Sequence, residues 1–188
     1  MLETLKHIDT ELFLFLNSRH SGFWDFIMYW SSEEYTWIPL YFYFLYLVVK
    51  KQPKHVLIIL ITIAVLITLS DQLSVHAFKN VFMRYRPCHN VLIQNQVYTY
   101  KTCGGLYGFV SSHAANTFAL ATFLSIVLSG CYKYLTPLLF LWATFVSYSR
   151  IYLGMHYPAD IIGGALLGMG LAILMAKIYF RLFTLRSE

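Results

Sequence analysis

Charge is what this sequence has least of. Only 12% of its 188 residues are Asp, Glu, Lys or Arg, while 58% are hydrophobic; a soluble domain carries about 25% charged residues. So few charges cannot cover a water-soluble globule, and a mean hydropathy of +0.57 fits a surface that faces lipid. Paired cysteines are missing too. Cys88, Cys103 and Cys131 form no Cys-x-x-Cys unit, which argues against a structural zinc site. The N-terminus has no short apolar core followed by a small-residue cleavage site, so no removable signal peptide is expected. No internal repeat, low-complexity tract or long linker divides the chain, and one domain over 1–188 is expected at this length. The net charge of +5 is a poor argument for nucleic acid, because many of the cations sit at the ends of apolar runs.

Those runs lie at about residues 35–49, 55–78, 111–130, 134–153 and 158–180. A helix crosses a bilayer in roughly 20 apolar residues, so flanking residues must extend the first. The expected fold is an all-α integral membrane protein, a bundle of about five transmembrane helices with its core over 35–183. In residues 1–34, Leu12, Phe15 and Leu16 recur at helical spacing, as do Phe23, Trp24, Phe26, Ile27 and Trp30. They predict amphipathic helices broken near Ser21–Gly22, either interfacial or packed against the bundle. Gly164 and Gly168 permit a close helix approach in the last run. If the spans alternate, Lys50, Lys51, Lys54, Lys133, Lys177, Arg181 and Arg186 share one face. The positive-inside bias makes that face, and the C-terminus, cytoplasmic. Residues 79–110 and 149–160 then meet on the outer side.

Three polar segments share that outer side. Lys79 and Arg86 are seven positions apart, about two helical turns, and Pro87 should end the helix at Arg86. Two cations at a helix end suit an oxyanion. Ser111, Ser112 and His113 open the next helix, where free backbone N–H groups attract anions; either serine alone would also serve as a cap. Arg150 adds a guanidinium fork. His156 and Asp160 are four residues apart, with Pro158 placed to begin a helix. If the chain turns helically there, Asp160 accepts a hydrogen bond from one ring nitrogen and leaves the other free as a nucleophile. Asp71, late in the second long run, is read as pairing with a site cation or polar neighbour.

The three segments resemble the type 2 phosphatidic acid phosphatase superfamily, whose signature is Lys-x6-Arg-Pro, Pro-Ser-Gly-His and Ser-Arg-x5-His-x3-Asp. Lys79 to Pro87 matches the first part and Ser149 to Asp160 the third, without a gap. In the second, Ser111 and His113 match, while Val110 and Ser112 replace the proline and glycine. The resemblance implies a metal-independent phosphohydrolase without a cofactor. His156 would attack phosphorus, oriented by Asp160, and His113 would protonate the leaving oxygen. Lys79, Arg86, Ser111, Ser112 and Arg150 would bind the phosphate.

With no separate domain for a soluble substrate, the expected substrate is a membrane lipid. Candidates are undecaprenyl diphosphate, a lipid A phosphate, phosphatidylglycerol phosphate and phosphatidic acid. The expected location is a bacterial inner membrane, with the site facing the periplasm and no obligatory protein partner. Cys88 and Cys103 lie in the outer loop, where oxidation is permitted, and are expected to form a disulfide, while Cys131 stays reduced. Two other readings stand beside this one. The same site could pass the phosphoryl group to a second lipid. A non-enzymatic carrier or haem bundle would use His76, His89, His113 and His156, but His89 falls in a loop and the last two at helix ends.

Overall fold

The computed structural model describes residues 2–101 and 103–184; Arg186 lies outside them. Helix α1 spans Leu2–Asn17 and α2 Gly22–Ser32, and a 3-10 turn at Glu34–Trp37 leads into α3, Ile38–Lys51. Helix α4, Val56–Leu73, continues through a π-helical stretch at Ser74–Lys79 into the short α5, Asn80–Phe82. After a long loop come α6, Ser112–Val127, α7, Leu135–Tyr152, and α8, Pro158–Tyr179. Among the described residues an isolated bridge, Tyr85 to Tyr107, stands in for any strand.

All five apolar runs are helical, but they are unequal as spans. Two continuous helices, Pro53–Phe82 and Pro158–Leu182, are long and apolar enough to cross a membrane. Helix α3 has 14 residues and α6 has 16, so they cover less of a bilayer's depth.

Helix α6 forms the centre. Ala114, Ala115, Ala119, Ala121 and Phe123 are fully buried on it, among α4, α7 and α8. A Cβ at Gly164 would collide with the Ser111 carbonyl, and one at Gly168 with the Ala115 carbonyl. Small residues thus let α8 lie directly on α6. That contact brings the start of α8 to the start of α6, where the Ser111 N–H donates to the Asp160 carbonyl at 3.0 Å.

The cationic ends gather at the far pole. Lys51 lies over the Tyr132 ring at 5.4 Å, and His55 Nδ1 meets the Tyr179 hydroxyl at 3.0 Å. The ends of α3 and α8 and the α6–α7 turn therefore share one end, opposite the 79–110 loop.

One local expectation is corrected. The helix carrying Lys79 stops at Phe82, not at Arg86, and Met83 turns left-handed with φ 44°. Loop pairing wins over helix continuation: Arg86 N–H donates to the Leu106 carbonyl at 3.1 Å, and Gly108 N–H to the Arg84 carbonyl at 2.9 Å. Lys79 and Arg86 therefore do not share a helix face. One cation comes from a helix and the other from extended chain.

The N-terminal helices form as their periodicity predicts, with the break at Ser21. Phe13, Asn17, Asp25, Met28 and Ser32 face inward, while Leu5, Ile8, Phe15, Phe23, Phe26 and Trp30 stay exposed. One face packs on the bundle and the other is left apolar at the pole where the interface would lie.

Candidate active site

The turn after α7 is built to hold one histidine. Met155 and His156 both donate their N–H groups to the Arg150 carbonyl, at 2.9 and 3.2 Å. Gly154 sits at φ 77°, and a Cβ there would press on the Tyr98 carbonyl at 2.6 Å, so the turn needs glycine. His156 is 1% exposed. Burial, then the charges of Arg86, Arg150 and Lys79, hold its imidazole well below the usual range. It is neutral at neutral pH, with cations on several sides.

Asp160 is placed differently from the expected pairing. Residues 154–157 are not helical, and the His156 Nδ1 to Asp160 Oδ2 distance is 3.5 Å, too long for a hydrogen bond. A neutral imidazole also makes this no ion pair. Asp160 Oδ2 instead accepts from the Tyr157 N–H at 3.0 Å, capping α8. Its Oδ1 accepts from Arg84 at 2.8 Å. The other arm of Arg84 meets Asp9 at 2.6 Å, and its guanidinium stacks over the Tyr157 ring at 3.9 Å. Asp9 in turn accepts from the Ala159 N–H at 2.9 Å.

The remaining expected residues converge. Lys79 Nζ donates to Ser112 Oγ at 2.7 Å, and Ser112 also meets Ser74 Oγ at 2.5 Å. Ser112, the residue that departs from the motif, thus holds Lys79 in place. Asp71 makes no ion pair among the described residues, but it lies close enough to act electrically on Lys79. Ser111 is fully buried and caps α6, its Oγ accepting from Ala114 N–H at 3.4 Å. Arg86 is anchored through its Nε to the Tyr107 carbonyl and through one terminal nitrogen to the Cys103 carbonyl, at 3.3 and 3.2 Å. Arg150 donates to Ser32 Oγ, and its Nε has no partner among the described residues. His113 is half-buried beside the Ser32 backbone. Gly108 lies against the cluster: a Cβ there would meet Asp160 Oδ2 at 3.0 Å and His156 Nδ1 at 3.4 Å. Cys88 and Cys103 face each other at bonding distance with Cα atoms 6.3 Å apart, and Cys131 is unpaired.

A cavity of about 350 Å³ opens on the His113 side, with Ser32, Glu34, Asn116 and Thr117 as its polar lining. Trp37 and Trp142 line it and also a larger apolar groove of about 890 Å³ beside α3 and α7. Asp9, Ser32 and Arg84 escaped the sequence reading as site residues. Arg84 was visible only as a second arginine two places before Arg86, and nothing near Asp9 or Ser32 marks a function.

Cations, neutral imidazole and a helix N-terminus gathered inside an apolar helical bundle define a membrane protein equipped for oxyanions. Comparison with known proteins makes the class specific. Residues 54–184 match the PAP2 superfamily. The lipid A 4'-phosphatase of Bacteroides thetaiotaomicron is 39% identical over 171 residues, covering 89% of this chain and 75% of that one. An undecaprenyl-diphosphatase of Sulfolobus acidocaldarius is 30% identical over 90% of this chain and 78% of its own. The crystal structure of Aquifex aeolicus LpxE superposes with a TM-score of 0.62 at 26% identity, covering 89% of this chain and 93% of that one. The chain belongs to the PAP2 superfamily and is one of its membrane-embedded phosphatases.

Proposed function

We propose that the chain is a single-domain lipid phosphatase of a bacterial inner membrane. It removes phosphate at the periplasmic face through a phosphohistidine, without a metal. The observation that carries this is the setting of His156, buried and neutral with Arg86, Arg150 and Lys79 around it. His156 Nδ1 is turned to Asp160 and Gly108, leaving Nε2 to attack phosphorus. The P–O bond to the leaving group breaks as the N–P bond forms, and His113 gives its proton to the leaving oxygen. Water then attacks the phosphohistidine, returning a proton to His113 and releasing phosphate. Lys79, Arg86 and Arg150, with Ser111 and Ser112 at the α6 N-terminus, hold the phosphate and its developing charge. Three cations supply the neutralisation that a divalent ion supplies elsewhere.

The clustering of Lys51, Lys54, Lys133 and Lys177 away from the site supports a cytoplasmic far pole and C-terminus. Cys88 and Cys103 would then be oxidised in the periplasm, stiffening the loop that anchors Arg86. The apolar groove beside α3 and α7 supports an amphiphile whose tails stay in the bilayer. The candidates are a lipid A phosphate, as named for the Bacteroides relative, undecaprenyl diphosphate, phosphatidylglycerol phosphate and phosphatidic acid.

The test is phosphate release from these lipids by purified protein in EDTA, comparing wild type with His156→Ala. The variant should lose about a thousandfold or more in kcat. Full activity in the variant, or abolition of wild-type activity by EDTA, would sink the mechanism. Transfer to a second lipid without free phosphate would replace hydrolysis with phosphotransfer.

A further inference from the structure

The groove beside α3 and α7 has two unlike ends. One end, at Trp37 and Trp142, adjoins the cavity that His113 lines. The other is the α6–α7 turn at the far pole, where Cys131, Tyr132, Lys133 and Tyr134 form the lining. The walls between them are apolar, with Leu40, Phe44, Leu138 and Leu141. Two cations rest on the tyrosines of the turn: Lys133 lies over the Tyr134 ring at 5.1 Å, and Lys51 over the Tyr132 ring at 5.4 Å. The Tyr132 hydroxyl is buried and has no hydrogen-bond partner among the described residues. Residues 38–70 and 117–159, which hold α3 and most of α4, α6 and α7, include no aspartate or glutamate. No carboxylate from these helices offsets the two lysines.

We infer that this end of the groove binds a second lipid, an anionic diacyl phospholipid from the leaflet opposite the active site. Its phosphate would lie between Lys133 and Lys51 and accept from the Tyr132 hydroxyl, and its tails would run toward Trp142. A substrate with its phosphate at His156 reaches this end tail-first. Its terminal methyl offers nothing to the lysines and leaves the Tyr132 hydroxyl unpaired, which is costly for a buried donor. A lipid entering from the other leaflet brings that hydroxyl an acceptor and gives both cations a counter-charge. Each lysine near an anionic headgroup adds about fivefold to affinity. A zwitterionic headgroup carries an ammonium of its own, which meets the lysines as a like charge. At about 890 Å³ the groove falls near the top of the range for single-ligand sites, about 300–1,000 Å³, so it admits diacyl tails.

Cys131 is unpaired and lines the groove, so its alkylation reports occupancy. The test follows modification of Cys131 by N-ethylmaleimide, read by intact mass, in the delipidated full chain in detergent. Dioleoylphosphatidylglycerol or dioleoylphosphatidylcholine is added stepwise. Neither carries a phosphate monoester, so occupancy is read without turnover and the outcome stands apart from the phosphatase reading. Phosphatidylglycerol should protect Cys131 at about a tenfold lower mole fraction than phosphatidylcholine. Lys133→Gln, on an exposed turn, should raise the phosphatidylglycerol midpoint about fivefold, and Tyr132→Phe should do so by a similar factor. Equal protection by the two lipids, or protection by neither, overturns the inference, and so does an unchanged midpoint in both variants. Protection by soluble glycerophosphoglycerol would leave a headgroup site without a lipid, and a Cys131 shielded in a lipid-free dimer would assign the groove to a second copy. Either result overturns the inference as well.

Discussion

The first 34 residues and the α4–α8 core contribute to one site in opposite ways. The core supplies the groups proposed to bind and transfer phosphate: Lys79, Arg86, His113, Arg150 and His156. The N-terminal helices supply what holds several of them still. Asp9 fixes Arg84 and the start of α8, and Ser32 receives Arg150. Asn17 donates to the carbonyls of Tyr98, Ile151 and Tyr152 at 3.0, 3.3 and 2.8 Å and accepts from Tyr98 N–H at 2.7 Å. Asp25 takes the hydroxyls of Tyr98 and Tyr152, each at 2.7 Å. Reactivity is thus concentrated in short motifs, whereas rigidity is borrowed from a segment that carries no motif.

The sharpest way to break this contrast is Arg84→Leu. Asp160 is fully buried, and removing one partner of such a pair costs about 3–5 kcal/mol, because a charge is left uncompensated. Thermal unfolding in detergent should show the loss, and phosphate release should fall with it; a variant as stable and active as wild type would show that the Asp9–Arg84–Asp160 chain is ornamental. Asn17→Ala comes next, since it deletes four hydrogen bonds at once. About 2–3 kcal/mol of stability should go, read as a lower Tm. If activity at a permissive temperature then survives undiminished, the N-terminal segment braces the fold but not the site.

A pH profile isolates the core's own contribution. In the proposed mechanism His156 attacks as the neutral imidazole, and its imidazole is held below the usual range chiefly by burial. Protonation therefore begins only at lower pH, and the acid limb of kcat/KM should fall below about 6.5, the value of a free imidazole. An acid limb at or above that value would mean that neither the burial of His156 nor the cations around it are felt. The smallest effect belongs to Ser112→Gly, which restores the residue usual in the motif and frees Lys79 from its hydroxyl partner. Losing about 1 kcal/mol of positioning corresponds to roughly a fivefold fall in kcat/KM.

What could be read in the sequence followed the same division. The five helical runs, the break at Ser21–Gly22 and the gathering of three polar segments all come from periodicity and spacing, which are local properties. The close packing of α8 on α6 was legible in Gly164 and Gly168 for the same reason. The helix end at Phe82 was not, because loop pairing of Arg84 and Arg86 with residues 106–108 decides it. Nor was the partner of Asp160. The His156 spacing offered a local candidate, but the oxygen facing it accepts from the Tyr157 N–H, and the other is held by a cation 76 residues away. Contacts across such distances leave no periodic trace, and Asp9 looks like any carboxylate on an amphipathic helix.

The bond between Asp9 and the Ala159 N–H joins positions 150 residues apart. A ribosome adding about 5–20 residues per second needs roughly 8–30 s to cover that interval. Throughout that time α1 exists without the helix it must clasp, and Asp9 lacks one of its two partners. Each newly made molecule therefore passes through a stage in which its cations and imidazoles are being inserted but its last helix is not yet clamped. Completion of the chain, rather than insertion of the first spans, is the moment at which this site acquires its final shape.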